Sequence, residues 1–539
     1  MVYIDTNILI YLQNHFDRYH ASSKTIFGKY FLEKRICISQ IVLNEFFSII
    51  TDSRKNKIAW TGKEAANYIE YLTKSIASVH SVNNDILKEA LSTIEKYKIK
   101  RYGIYDHLIA CSMKYYGIDS IITVNKKDFE KYEFIKNIIV PEELETCTVS
   151  PSAGNFISYG KQWIDQTDIN EVLATLTSDY LTQGPAVSRF EKIICEYTGA
   201  KYCVALSNAT AALHIAVQAL NIEHGKEGIT SPNTFVASSN CLIYNGLKPV
   251  FADIDPLTYN IDPEEIRKRI SDNTKVLIPV HFAGRPCDMV KIKSIADERE
   301  LYIIEDAAHA IGSNYPDGSK VGNCKYSDMT IFSFHPVKTI TTGEGGAITT
   351  NSKELYAKLV MLRSHGITKD PEVLMENPGP WYYEMQGCGY NFRLTDIQSA
   401  LGTSQMKRLD EFKRRRNEII EKYNSDFSGL DWITTPLDES PDFCFHLYVV
   451  QINFDRLGKS RADVMEELKK KNIGTQVHYI PVHTQPYYKE KFGYNWGDYP
   501  AAEVYYSKAL SLALYPLMKD EEVDYVISQI KHLESFSDR

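Results

Sequence analysis

Short apolar runs alternate with longer amphipathic stretches along the whole chain, and the two periods assign elements before any residue type is counted. Near the start, Val2 to Ile4, Ile36 to Ser39 and Ile121 to Val124 are apolar runs of strand length, while Ile41 to Ile50 and Tyr105 to Tyr116 repeat apolar residues at helical spacing. Strands alternating with helices predict a small α/β domain with a parallel sheet. The alternation resumes on a larger scale, with strands expected at Tyr202 to Leu206, Pro249 to Asp253, Val276 to Val280, Leu301 to Ile304 and Met329 to Phe334. A basic helix, Phe412 to Tyr423, then opens a mixed α+β region that reads as a smaller second lobe. Pro141, Ser150, Pro151, Ser152, Ala153 and Gly154 interrupt the pattern and mark a linker. The expected domains are residues 1–143, a linker at 144–156, a large lobe at 157–409 and a small lobe at 410–539.

Composition narrows the function classes. With 539 residues, 44% of them hydrophobic, the chain can bury several cores. A net charge of -8 excludes a broadly basic surface of the kind that grips nucleic acid or anionic membrane. Ten cysteines are scattered with no Cys-x-x-Cys pair, which fits a reducing cytoplasm better than a zinc or disulfide framework. No apolar run approaches the length of a membrane span, and Asp5 inside the first apolar stretch argues against a signal peptide.

The strongest chemical signal is a pair. Lys338 closes Ser333-Phe334-His335-Pro336-Val337-Lys338 and precedes the glycine-rich Thr342-Gly343-Glu344-Gly345-Gly346; upstream, the run from Leu301 ends in Glu305-Asp306-Ala307-Ala308-His309. A lysine and an acid at the ends of two strands are what a pyridoxal phosphate (PLP) enzyme requires. The amine holds the cofactor as a Schiff base, and a carboxylate such as Asp306 keeps the ring nitrogen protonated. Cys203 to Leu213 reads as a strand, a small-residue turn and a helix start. Its free amides and the Thr210 hydroxyl would seat a phosphate. Phe235, after Pro232-Asn233-Thr234, is placed to stack on a ring.

These motifs resemble the DegT/DnrJ/EryC1/StrS family of sugar aminotransferases, from Ile157 to the C-terminus. Tyr159-Gly160-Lys161-Gln162, Leu181-Thr182-Gln183-Gly184-Pro185, the run from His335 to Gly346 and His478-Tyr479-Ile480-Pro481-Val482-His483 look most like its pseudaminic acid branch. The resemblance implies PLP fold type I, with Lys338 carrying the cofactor, Asp306 on the pyridine nitrogen and His309 beside the ring. It implies phosphate contacts from Ala209, Thr210 and Ser333, and a homodimer in which Asn391 reaches the neighbouring subunit's phosphate. It implies amino transfer from L-glutamate to a UDP-linked 4-keto-6-deoxy sugar, with substrate contacts expected from Tyr180, Gln183 and His478. Related dehydratases carry His at the lysine position, so Lys338 argues for amino transfer. Bacillosamine- or perosamine-type sugars are the rival substrates, although His335-Pro336-Val337 departs from the pattern of those branches.

In the first domain, Asp5 ends an apolar strand, Glu45 and Asp106 lie in helical stretches, and Asp128 follows Thr123-Val124-Asn125. Carboxylates at strand ends and helix starts of one sheet can converge on Mg2+ or Mn2+, which activates water against a phosphodiester. This resembles the PIN-domain ribonucleases, including toxins of toxin-antitoxin pairs, over about residues 1–140. By position Asp5, Glu45 and Asp106 match the family's metal-binding acids. Asn125 stands where many members have Asp, with Asp128 three residues on. The resemblance implies RNA or an antitoxin as partner; an inactive passenger or interaction module is the other reading.

Overall fold

The computed structural model describes residues 1–13, 19–52, 60–101, 103–141, 156–436 and 442–534. The linker expected at 144–156 lies, apart from Phe156, outside the described residues. The chain divides into two units, Met1–Ser150 and Pro151–Arg539.

The first unit is built on a five-stranded sheet: β1 (Val2–Ile4), β2 (Ile36–Ser39), β3 (Ser78–His80), β4 (Ser120–Ile122) and β5 (Asn137–Ile139), in the order β3-β2-β1-β4-β5. Every pairing is parallel. The central β1 is buried along its whole length, as a strand covered by helices on both faces must be. The helix Gln40–Ile50 starts where the Ser39 hydroxyl accepts the Val42 N–H. β4 ends two residues earlier than its apolar run, because Thr123 turns its hydroxyl to the Asp5 carboxylate and accepts the Asn125 N–H. The edge strands β3 and β5 are three residues each and mix polar side chains with apolar ones, so no periodic run announces them.

The second unit holds a seven-stranded sheet of β6 (Tyr202–Leu206), β7 (Glu227–Thr230), β8 (Lys248–Phe251), β9 (Thr274–Ile278), β10 (Tyr302–Asp306), β11 (Met329–Ser333) and β12 (Gly346–Thr350). Their order is β6-β12-β11-β10-β9-β7-β8. β12 runs antiparallel to both neighbours and the other pairings are parallel. The two strands that the apolar pattern misses, β7 and β12, each contain a glycine that the packing demands. A Cβ on Gly228 would stand 2.3 Å from Leu242, and one on Gly346 would stand 2.6 Å from the Ala209 nitrogen. β10 runs on past Ile304 through Glu305 and Asp306, so the acids belong to the strand itself.

A short pair, β13 (Ile367–Thr368) and β14 (Glu384–Met385), precedes the small lobe, whose antiparallel sheet is β15 (Ile433–Thr434), β16 (Tyr448–Ile452) and β17 (Ala509–Leu512). The helix Leu409–Phe427 joins the lobes. Leu409 and Phe412 pack in the large-lobe core, and Ile419, Ile420, Tyr423 and Phe427 in the small-lobe core. Ile157, expected in the large lobe, is buried in the small-lobe core instead, where it exchanges backbone hydrogen bonds with Asn472 and Gly474.

Candidate active site

Three strand ends meet at one edge of the large sheet. Asp306 closes β10, Ser333 closes β11, and Ser333 is paired through Gly346 of β12 with Leu206, the last residue of β6. Lys338 follows β11 after a turn in which its N–H donates to the His335 carbonyl. Its amine lies near enough to Asp306 for the carboxylate to hold its pKa up, but burial wins and lowers it to about 8. The Asp306 carboxylate is 5% exposed and fixed at both oxygens. Oδ2 accepts the Ser238 hydroxyl at 2.6 Å, and Oδ1 accepts the Ala308 N–H at 3.1 Å.

Three buried imidazoles feel the charge of the lysine. His309 lies 4.6 Å from His446, ring centre to ring centre, and its Nε2 is 3.1 Å from the Tyr479 hydroxyl. Burial, reinforced by the Lys338 charge, pushes His309 and His446 well below the ordinary imidazole value and His478 to about 3. All three are therefore neutral at pH 7, and Lys338 is the cation of the cluster. His478 is anchored through Nδ1 to the Ser511 hydroxyl, 2.7 Å away on β17. His446 is placed by its own backbone: its N–H donates to Ala283 and its carbonyl accepts the buried Arg416 guanidinium.

The place expected to seat a phosphate is shaped by one missing side chain. The helix Ala209–Ala219 begins directly over Gly346, and any Cβ there would collide with the backbone of Asn208 and Ala209 at 2.6 Å. The Asn208 side chain accepts the Ala211 N–H, so the first amides, those of Ala209 and Thr210, are the ones directed outward at the positive end of the helix. Ser333 reaches the same edge from β11. An anionic phosphate fits this cradle, a protonated ring nitrogen fits Asp306, and an aldehyde fits the Lys338 amine, so these residues suit PLP.

Phe235 is exposed, 6.4 Å from the Tyr479 ring, at the start of the segment that delivers Ser238 to Asp306. Asn391 is exposed on this single chain. Its neighbours run beside the phosphate helix: Phe392 accepts the Ser207 N–H, and Arg393 pairs with Leu206. Tyr180 and Gln183 are also exposed, in a loop held by the Asp396 carboxylate, which accepts the Gly184 and Ala186 N–H groups. Sequence reasoning missed Ser238 and His446, and quoted Tyr479 in a motif without giving it a role. Serine three residues after an aromatic and histidine inside an apolar run carry no distinctive spacing, and only folding aims them at Asp306 and Lys338.

In the first unit Asp5 is buried. Its oxygens accept the Thr6 N–H, the Asn7 amide and the Thr123 hydroxyl, while Glu45 accepts the Thr6 hydroxyl at 2.6 Å. Burial raises Asp5 to about 6. Burial followed by repulsion from Asp5, Asp128 and Glu45 raises Asp106 to about 7. The four acids thus feel one another. Among the described residues, however, no group of three or more His, Cys, Asp or Glu is close enough to hold a metal ion. Thr6, Asn7 and Thr123 engage the Asp5 carboxylate, and Thr6 engages Glu45.

Comparison with known proteins agrees with this geometry. Residues 162–531 match the DegT/DnrJ/EryC1/StrS aminotransferase family and residues 2–135 match the PIN domain. The uncharacterized protein MJ1066 of Methanocaldococcus jannaschii is 44% identical over 382 residues, covering 71% of this chain and 98% of that one. Spore coat polysaccharide biosynthesis protein SpsC of Bacillus subtilis is 42% identical over 386 residues, with coverage of 71% and 98%. Among solved structures, Helicobacter pylori PseC, an aminotransferase involved in the biosynthesis of pseudoaminic acid, is 32% identical. It has a TM-score of 0.66 and covers 71% of this chain and 100% of its own. NtdA of Bacillus subtilis, solved with bound cofactor PMP, is 31% identical with a TM-score of 0.60, covering 69% of this chain and 83% of its own. The chain belongs to the DegT/DnrJ/EryC1/StrS family: it is a PLP-dependent sugar aminotransferase that carries an N-terminal PIN domain.

Proposed function

We propose that the chain transfers the amino group of L-glutamate to the 4-keto carbon of a UDP-linked 2-acetamido-2,6-dideoxy-hexos-4-ulose. This is the step of a UDP-4-amino-4,6-dideoxy-N-acetyl-β-L-altrosamine transaminase in pseudaminic acid biosynthesis, carried out in a cytoplasmic homodimer. The observation that carries this reading is Lys338 poised beside Asp306 among three neutral histidines. Likeness to PseC and the His335 to Gly346 motif support the substrate.

In this reading Ala209, Thr210 and Ser333 hold the phosphate, Asn391 reaches across to the neighbouring subunit, Phe235 covers the ring and His309 lies against it. When bound, PLP supplies an electron sink for the charge left when a proton departs from the amino-bearing carbon. Lys338 moves that proton. An amine lowered to about 8 exchanges protons readily near neutral pH, where an ordinary lysine would stay charged. Ser238 and Ala308 fix Asp306 so that its charge faces the ring nitrogen. The neutral histidines line the cleft without adding positive charge against the substrate amine, and Tyr180, Gln183 and His478 read the sugar nucleotide. The test is to mix purified protein with L-glutamate and the UDP-4-keto-6-deoxy sugar, following the amino sugar by mass and the cofactor by its visible band. Lys338→Ala serves as control. Amino sugar formed equally by that variant would end the assignment.

A second reading has another nucleotide-linked 4-keto-6-deoxy sugar, of bacillosamine or perosamine type, as the acceptor; the 42% identity to a spore coat polysaccharide biosynthesis protein supports a sugar destined for a polysaccharide without choosing between the two. Competing the candidate sugars in one reaction separates the two. For the PIN domain we propose a Mg2+- or Mn2+-dependent ribonuclease site at Asp5, Glu45, Asp106 and Asp128. The other reading, an inactive passenger or a module that binds RNA or an antitoxin, is supported by Asn125 and by the hydrogen bonds that already engage Asp5 and Glu45. Full-length protein with Mn2+ and structured RNA, compared with Asp5→Ala, decides: equal cleavage by both leaves the binding module.

A further inference from the structure

Glu305 precedes Asp306 on β10, so strand alternation points its side chain to the opposite face, into the core, where it is 0% exposed. Four donors converge on it. Oε1 accepts the Ser327 hydroxyl and the Thr330 hydroxyl at 3.0 Å; Oε2 accepts the Tyr315 hydroxyl and His281 Nε2 at 2.7 Å. His281 is also fully buried, and its Nδ1 accepts the Cys287 N–H at 3.1 Å. The lone pair is therefore at Nδ1 and the proton at Nε2, facing the carboxylate.

His281 opens a turn that returns to the cofactor side. Its N–H donates to the Asp306 carbonyl at 3.0 Å, and Phe282–Gly284 then forms a single 3-10 turn. Ala283, at the turn's centre, has φ of 56°, a left-handed conformation that costs a non-glycine residue about 1 kcal/mol and needs neighbours to hold it. Both of its backbone groups are spent on the cleft. The N–H donates to His309 Nδ1 at 3.3 Å, and the carbonyl accepts the His446 N–H at 2.8 Å. A donor at Nδ1 leaves the His309 proton on Nε2, directed at the Tyr479 hydroxyl.

We propose that Glu305 and His281 are a positioning pair: the buried carboxylate fixes the His281 ring, and the strained Ala283 turn it anchors sets the tautomer and orientation of His309. Glu305 accepts and never donates, so it tolerates one His281 tautomer only. A neutral glutamine no longer holds the Nε2 proton by charge, and where its NH2 faces His281 the favoured proton is on His281 Nδ1. That proton meets the Cys287 N–H head on, the turn shifts, and the Ala283 N–H leaves His309.

The inference rests on the reading of His309 as a wall of the cofactor site. Its first test needs neither cofactor nor substrate, so its failure is distinct from that of the proposed reaction. Full-length protein with 15N-labelled histidine, freed of cofactor, is examined by imidazole NMR, with His309→Gln assigning the signal. The expected result is His309 protonated at Nε2 alone in the wild type and a mixture of tautomers in Glu305→Gln. A wild-type His309 protonated at Nδ1, or one tautomer unchanged in Glu305→Gln, overturns the proposal; if Glu305→Gln does not fold, His281→Gln is read in the same way. In the holoenzyme, Glu305→Gln is expected to lower kcat at least tenfold with little change in KM, and to cost nothing further in a His309→Gln background. Losses that multiply across the double variant would mean that Glu305 acts on overall stability rather than through His309, and would refute it.

Discussion

Gly346→Ala adds one methyl group at a residue that has no side chain to offer a ligand, and it tests the proposed phosphate seat more cleanly than removal of a contact. Alanine is intrinsically no worse than glycine in extended backbone such as the first residue of β12, so any loss must arise from the collision. The new Cβ would lie 2.6 Å from both the Ala209 nitrogen and the Asn208 carbonyl carbon, which are backbone atoms that no rotamer change can move. To reach 3.4 Å, the start of the helix Ala209–Ala219 would have to retreat by about 0.8 Å. Overpacking of this kind costs about 1–3 kcal/mol. If the strain is relieved by moving the amides of Ala209 and Thr210, PLP affinity should fall by about 5- to 150-fold. The assay is titration of cofactor-free protein with PLP, followed by its visible band. Gly429→Ala, where a Cβ meets nothing within 4 Å, is the control. Unchanged PLP affinity in a folded Gly346→Ala protein would refute the argument that this helix start seats the phosphate.

Ser238→Ala removes a charge-assisted hydrogen bond from Asp306 worth about 1.5–3 kcal/mol and should weaken PLP binding by about 10- to 150-fold in the same titration. Thr123→Val removes a donor that lowers the Asp5 pKa, so an NMR titration of the Asp5 carboxyl should find it above its value of about 6. The two units should respond to acid in opposite directions. His309, His446 and His478 are held neutral below their unfolded value near 6.5, so the unfolded chain gains protons first and the aminotransferase unit loses stability as pH falls below about 6.5. Asp5 and Asp106 are raised to about 6 and 7. Their contribution is full below the unfolded value near 3.9 and is lost as pH rises through 6 to 7; it outweighs the smaller opposite pull of His80 and His107, which burial lowers, so the PIN unit should gain stability over the same fall in pH when no divalent cation is present. Calorimetry of the full chain at pH 5 and pH 7 checks both. Parallel shifts of two transitions would contradict the assignment.

The sequence alone carried the two-part α/β plan and the family, because buried parallel strands are continuous apolar runs and because Lys338, Asp306 and His309 stand in spaced motifs. It located β1, β2, β6 and β11 closely for the same reason. It could not show β7 or β12, since Gly228 and Gly346 weaken the strand signal and their necessity lies in residues that arrive from elsewhere in the chain. Nor could it show that β12 runs antiparallel, which places Gly346 between Ser333 and Leu206 and so brings the phosphate helix to the lysine edge. Ser238 and His446 lie 68 and 140 positions from Asp306 along the chain and meet the site only after the sheet and the second lobe have closed. The carboxylates of the PIN unit make the same point from the other side. Spacing supplied four acids, but whether an oxygen is free or already committed to Thr6, Asn7 or Thr123 depends on local hydrogen bonding in three dimensions. Periodicity records which faces are buried; the chemistry of a site depends on distances between residues that are remote in sequence, and only the folded chain sets those.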